Sequence, residues 1–250
     1  MKKTIYILTL LIGTLMVFQS CKKDEIEKKE NFDQYYLLHN KALNYLYYDI
    51  FYHPNKYDNS NIGSIRVKGT IKKYLKDNIT QNVDTSYLNK FWYNYENYDF
   101  KSDKRFKNIV ESYYYDRIVF IIKNFKSTVE VSHQINKLII ELENDTFLSD
   151  FDKTTLKSAS LIANESFEYW TINSGKWVQL GDSFTNLTVK SYEYEIIKSD
   201  IDGAIGGAIT GAITGAPLGG GAALGALLGA MLGAPYSSAY YGTRTYFGWY

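Results

Sequence analysis

The sequence is poor in several residue types, and each shortage excludes a class of protein. Its single cysteine excludes an internal disulfide framework and a multi-cysteine metal site. Its three prolines argue against a proline-rich disordered chain. Its formal net charge of +1 gives no indication of a nucleic-acid partner held by electrostatics.

Motifs of catalysis are also missing. The three histidines, His39, His53 and His133, lack the spacing of a zinc-binding pair, and we expect His133 at the surface of a helix. No Gly-x-Ser-x-Gly turn and no phosphate-binding loop occurs in the sequence. We therefore predict no catalytic residue, no metal and no cofactor, although a pair of glycosidase carboxylates is not recognisable from sequence alone.

The N terminus has the pattern of an export signal. Lys2 and Lys3 precede an uncharged, mostly apolar stretch over 5–18, which is shorter than the about 20 residues of a membrane span. The only cysteine, Cys21, comes three residues after this stretch and directly after the small residue Ser20. Residues 1–20 resemble a bacterial lipoprotein signal peptide of the Bacteroidetes type, which implies lipidation at Cys21. The alternative is an ordinary secretory signal, with Cys21 an incidental thiol.

The resemblance implies a membrane partner through the lipid and a place in the cell envelope, as an outer-membrane lipoprotein. The charged residues of 21–31 are then a tether. Within them, Lys23-Asp24-Glu25 resembles a short acidic signal for export to the outer cell face. The sequence does not decide on which face of the outer membrane the protein lies, because a solvated tether without an export signal has the same composition.

Residues 32–198 have the composition of a globular domain, with mostly helical periodicity. One apolar helix face is formed by Val131, Ile135, Leu138 and Leu142. Ser127 and Glu130 predict a capping box at its start. A second apolar face is formed by Leu156, Ala159, Ala163, Phe167 and Trp170. Residues 173–175 predict its end, and short strands over 177–180 and 188–196 are an alternative to helix.

Aromatic residues of this domain occur in three clusters. They are Tyr45, Tyr47 and Tyr48, then Phe91, Trp92, Tyr93 and Tyr95, then Tyr113, Tyr114 and Tyr115. Such clusters form either a surface that stacks on a sugar or peptide, or the core and boundary of the domain. The second interpretation is favoured.

Nine glycines near the C terminus are spaced four apart in two series. They are Gly203, Gly207, Gly211, Gly215 and Gly219, then Gly221, Gly225, Gly229 and Gly233. Four residues is close to one helical turn, so each series forms a smooth groove that another helix approaches backbone to backbone. Each interior glycine disfavours a helix by about 1 kcal/mol relative to alanine. Close packing or an apolar medium must compensate.

We predict that 199–235 is a glycine-zipper hairpin, with helices over 200–216 and 221–234 and a break at Pro217. Asp200 and Asp202 suit the dipole at the start of the first helix. The opening Asp-Ile-Asp-Gly-Ala-Ile-Gly-Gly resembles the glycine-zipper regions of pore-forming class II bacteriocins. That resemblance implies close helix packing.

No charged residue occurs over 203–243, a stretch long enough for membrane insertion. Membrane insertion or self-association is the favoured interpretation. Packing onto the protein's own domain and a disordered tail are the alternatives. Residues 236–250 form an aromatic tail typical of a membrane–water interface.

The predicted fold is mainly α, a helical globular domain followed by the glycine-zipper helical hairpin. The expected function is that of a non-enzymatic, lipid-anchored envelope protein that associates with membrane or with itself through the hairpin. A bacteriocin-like membrane-active toxin and a surface ligand-binding domain that uses the aromatic clusters are the alternatives.

Overall fold

The computed structural model describes residues 37–57, 60–79, 84–185, 193–215 and 221–247. The regular structure in these ranges is helical, and no strand occurs within them. The prediction of a mainly α fold is therefore confirmed.

Several predicted features lie outside the described residues. They are the signal peptide, Cys21 and the tether, together with Gly219 and the predicted break at Pro217. Because 216–220 are not described, the turn of the predicted hairpin stays a prediction.

Nine α-helices occur in the described ranges. The first, α1, covers residues 37–52. The others are α2 (Ser60–Ile79), α3 (Thr85–Asn97), α4 (Lys104–Val110), α5 (Tyr113–Asn124), α6 (Thr128–Asn144), α7 (Asp150–Thr185), α8 (Glu193–Gly215) and α9 (Gly221–Phe247). Short 3-10 turns occur at Pro54–Lys56 and Phe100–Ser102.

Side chains cap several of these helices at their N termini. Asp84 accepts a hydrogen bond from the Ser86 amide at 2.9 Å before α3, and Asp103 accepts one from the Arg105 amide at 2.6 Å before α4. Ser127 is the N-cap residue of α6, but its side chain makes no capping hydrogen bond. The predicted capping box is therefore wrong, although the helix that it was meant to start is present.

The predicted apolar faces of α6 and α7 are buried, which confirms both of them. The predicted end of α7 at 173–175 is wrong, because the helix continues to Thr185. Trp177 and Leu180 extend the buried face beyond Gly175. Burying two large side chains is worth more than the about 1 kcal/mol that one glycine costs. The strand alternative over 177–180 is wrong for the same reason.

Helices α8 and α9 form the centre of the domain. Of the 23 residues of α8, 16 are buried, as expected for a helix whose residues 203–215 carry no charge on any side. Helix α7 packs against both α8 and α9, while α2 packs against α9 and α3 against α8. Among the described helices, none has the length and apolarity needed to cross a membrane.

Both central helices extend beyond their predicted bounds. Helix α8 begins at Glu193, so Asp200 and Asp202 lie inside it and do not act on its start as predicted. A short strand over 188–196 was the alternative prediction. Residues 193–196 are helical, so this part of it is wrong, and residues 188–192 are not described. Helix α9 runs through Pro235 to Phe247, so 236–247 are helix and not a separate tail. Burial of the Tyr246 and Phe247 side chains stabilises this extension.

Candidate functional site

Seven of the predicted packing glycines lie where α8 and α9 meet. They are Gly203, Gly207, Gly211, Gly215, Gly225, Gly229 and Gly233. Of the other two, Gly221 is the first residue of α9, and Gly219 is not described.

The two backbones are in direct contact at these glycines. A Cβ atom added to Gly211 would lie 2.9 Å from the Cα of Gly229, and one added to Gly229 would lie 2.9 Å from the Cα of Gly211. A Cβ added to Gly207 would overlap the carbonyl group of Gly229. Ordinary van der Waals contact between carbon atoms needs about 3.5–4.0 Å. Any side chain larger than hydrogen would therefore push the helices apart.

The register of the contacts is antiparallel. Gly203 faces Gly233, Gly207 faces Gly229, and Gly211 faces Gly225. A step of four residues on one helix is matched by a step of four on the other. The four-residue spacing in the sequence thus corresponds to one backbone contact per helical turn.

Tyrosines of α3 bind the polar backbone of this interface. The Tyr95 hydroxyl lies 3.0 Å from the Ser237 hydroxyl and donates to the carbonyl oxygens of Gly203 and Gly233 at 3.4 Å. The Tyr87 hydroxyl donates to the Gly225 carbonyl at 3.4 Å. Burial raises the pKa of Tyr95 well above its usual value, so the hydroxyl stays protonated and remains a donor.

At the other end of α9, large rings provide most of the packing. Two glycines fit closely beside them, since a Cβ added to Gly181 would overlap the Tyr246 carbonyl and one added to Gly242 would lie 3.2 Å from the Trp170 ring. Trp170 and Trp177 of α7 have ring centroids 5.6 Å apart, and the Tyr246 ring lies 6.0 Å from Trp170. The Trp177 Nε1 atom donates to the Tyr169 hydroxyl at 3.0 Å. The described part of the aromatic tail, 236–247, which was predicted for a membrane–water interface, therefore contributes to the interior of the domain.

A buried polar cluster links α1, α7 and α8. The side chains of His39 and Asp200 are fully buried, with His39 Nε2 3.0 Å from Asp200 Oδ1, although these two atoms lack the alignment of a hydrogen bond. The Ser166 hydroxyl donates to the other carboxylate oxygen of Asp200. The Nδ1–H group of His39 donates to Asn40 Oδ1 at 2.8 Å. Asn40 in turn donates to Glu165 at 3.2 Å.

Burial and neighbouring charges shift the pKa values of two residues in this cluster. Burial lowers the pKa of His39, but the Asp200 carboxylate and the Asn40 hydrogen bond outweigh it, so the pKa lies above its usual value. Burial and the neighbouring Glu168 raise the pKa of Glu165. Asp200 accepts from Ser166 on one side and faces His39 on the other. This differs from a catalytic triad, in which the histidine contacts the serine.

Sequence reasoning missed this cluster, although a signal for His39 was present. His39 shares its helix face with Leu43, Leu46 and Ile50, at a spacing of four, seven and eleven residues, and all three are fully buried. No such signal pairs it with Asp200, because the two residues are distant in sequence. His133 is exposed on α6, as predicted.

The predicted aromatic clusters divide between core and surface. Phe91, Trp92, Tyr95 and Tyr115 are buried, whereas more than a third of each of Tyr45, Tyr48, Tyr93 and Tyr113 is exposed. The favoured core interpretation therefore holds for the α3 cluster, and Tyr93 is its exception.

Helix α1 carries a contiguous group of exposed rings, which we call the α1 patch: Tyr48, Phe51 and Tyr52. These side chains are 53%, 53% and 69% exposed. The Phe51 and Tyr52 ring centroids are 5.2 Å apart, and those of Tyr48 and Tyr52 are 6.3 Å apart. Sequence reasoning named Tyr48 but not the other two residues.

In the described part of the chain, no three histidine, cysteine or acidic side chains are grouped as a metal site requires. The arrangement thus consists of a backbone-to-backbone helix pair, a buried histidine–aspartate pair and an exposed aromatic patch. No protein-family model, curated protein or solved structure matches the chain.

Proposed function

We propose that this chain is a non-enzymatic, lipid-anchored protein of the cell envelope whose helical domain rests on the membrane surface through the α1 patch. The lipid anchor is Cys21, as its position after the signal-like segment predicts. The α8–α9 pair is the core of the domain. The exposure of three neighbouring aromatic rings on α1 is the observation that carries the proposal.

A bilayer surface is the binding partner that suits the α1 patch best. Tyrosine and phenylalanine rings combine apolar area with, for tyrosine, a polar hydroxyl, and tyrosine is enriched at the level of lipid head groups. Helix α1 also follows Cys21 in the chain, so a lipid on Cys21 would hold this helix near the bilayer.

The glycine faces have a different role in this proposal. They face one another inside the domain, and Tyr87 and Tyr95 bind their carbonyl groups. In this closed form the seven described glycines offer no groove to a second copy or to lipid. Association through the glycines would require α8 and α9 to separate first.

The test is vesicle co-sedimentation of the full chain carrying Cys21→Ala, which removes the lipid contribution. We expect binding to vesicles, and we expect the triple variant Tyr48→Ser, Phe51→Ser, Tyr52→Ser to lose most of it. The matched control is Val129→Ser, Ile140→Ser, Phe147→Ser, which removes three other apolar residues that are each more than 60% exposed. Equal binding by both triple variants would contradict the proposal.

A second candidate function is a membrane-active toxin that stores α8 and α9 inside the domain until it meets a target membrane. The observation that favours it is the position of the charge-free segment 203–243, whose described residues lie at the centre of the fold. Leakage of dye from vesicles by the full chain would support this candidate. Vesicles that bind the protein and stay intact would support the anchored envelope protein instead.

A further inference from the structure

A cleft of about 660 Å³ lies beside the glycine-lined pair, between α2, α3, α8 and α9. Four basic side chains line it, one from α2, one from the Phe100–Ser102 turn, one from α8 and one from α9. They are Lys68, Lys101, Lys198 and Arg244. Its size falls within the range of about 300–1,000 Å³ that is typical of small-molecule sites.

Two of the three carboxylates in the cleft are already engaged. Glu96 lies 2.6 Å from the Nζ atom of Lys72 and accepts from the Tyr236 hydroxyl at 2.7 Å. Asp202 lies 2.8 Å from the Nζ atom of Lys198 and accepts from the Tyr115 hydroxyl at 2.7 Å. The third carboxylate, Glu195, is exposed.

Lys68 and Lys101 form no such ion pair, although the charge of Lys68 acts on the Glu96 carboxylate. Among the described residues, no carboxylate lies within ion-pair distance of either Nζ atom. Lys68 instead lies 4.6 Å from the ring centroid of Tyr240, and the Arg244 guanidinium carbon lies 5.6 Å from the same ring. The Tyr240 ring thus lies within cation–π distance of both Lys68 and Arg244.

Arg244 is notable because it is the only charged residue of α9, a helix of 27 residues. Its side chain lines the cleft. Guanidinium groups bind phosphate through two parallel hydrogen bonds, and several cations around one cavity favour a group with more than one negative charge.

We propose that this cleft binds a small ligand that carries a phosphate group. Lys68, Lys101 and Arg244 bind the phosphate, and the rings of Tyr236 and Tyr240 contact the uncharged part of the ligand. The cavity is much larger than inorganic phosphate, so the phosphate belongs to an ester. A soluble phosphate ester and a phospholipid head group share this chemistry. The inference does not depend on the proposed function, because it uses neither Cys21 nor the α1 patch.

The experiment is a calorimetric titration of the full chain carrying Cys21→Ala. One arm uses glycerol 3-phosphate, and the second uses phosphatidylglycerol vesicles, with phosphatidylcholine vesicles for comparison. We expect Lys68→Gln and Arg244→Gln each to weaken binding about tenfold, since each removes a charge-assisted contact. The exposed Lys101→Gln gives a second variant with little risk to folding. The control is Lys137→Gln on α6, which should bind as the unsubstituted chain does.

Cleft-dependent binding in the first arm identifies a soluble ester, and in the vesicle arm alone it identifies a lipid head group. Both results support the proposal. Binding that survives Lys101→Gln and the double variant of Lys68 and Arg244 unchanged would overturn it, as would the absence of binding in both arms.

Discussion

Helix α9 contains two regions that are packed by opposite means. Over 225–233 its glycines let α8 approach until the backbones touch. Over 236–247 its large side chains, among them Tyr246, pack against Trp170 and Trp177. The first region is stable because side chains are missing, and the second because they are large. The glycine region should therefore tolerate no added atom, and the ring region no removed atom.

The largest effect is expected in the ring region, from Trp170→Ala. Trp170 is fully buried against Trp177 and Tyr246, so its removal leaves a large cavity. The free energy of unfolding should fall by about 3–5 kcal/mol in urea denaturation. Ile172→Ala on the same helix is the control, because Ile172 is 64% exposed and its loss should change stability by less than about 0.5 kcal/mol. Similar losses for the two variants would show that the ring region is not core.

In the glycine region, Gly207→Ala should destabilise although it adds only one methyl group. Alanine is the better helix former by about 1 kcal/mol, but its Cβ would overlap the Gly229 carbonyl. Separating two packed backbones should cost about 1–3 kcal/mol in net stability, measured by the same denaturation. A stabilised Gly207→Ala variant would mean that the helices are apart.

A smaller effect is expected from pH at the buried pair of His39 and Asp200. Because the pKa of His39 is raised in the folded chain, the stability that the pair contributes is fully present below the unfolded pKa of about 6.5. It is lost as the pH rises through the folded pKa. Denaturation from about pH 5 to about pH 9 should show this loss. The loss should be absent in His39→Gln and unchanged in His133→Gln, which alters an exposed histidine. A pH profile that His39→Gln leaves unaltered would refute the role of the pair.

The smallest effect, and the only stabilising one, is expected from Gly175→Ala. No atom lies within 4 Å of an added Cβ at this helical position, so only the propensity of alanine counts. The free energy of unfolding should rise by about 0.4–1 kcal/mol. Gly69→Ala, in the same situation on α2, provides an independent repeat. Destabilisation at both sites would mean that their surroundings are crowded.

The helical class and the buried faces of α6 and α7 were predictable because they follow from local periodicity. The glycine spacing favours close helix packing, but periodicity does not say which helix is the partner. The extensions of α7 and α9 were missed, since they depend on contacts between Trp170, Trp177 and Tyr246 across the fold. The pairing of His39 with Asp200 has no local signal at all. Local patterns thus predict which face is buried, and the tertiary structure decides what covers it.

The central claim is that the glycines of α8 and α9 face each other within one molecule, and a double-mutant cycle of Gly207→Ala and Gly229→Ala tests it most directly. If these residues touch, the first substitution already separates the helices and the second adds little. The double variant should then lose at least about 0.5 kcal/mol less stability than the two single losses combined. The pair Gly207→Ala and Gly175→Ala should be additive, and the unfolding midpoint should not depend on protein concentration. Additive losses at Gly207 and Gly229, or a midpoint that rises with concentration, would contradict the account.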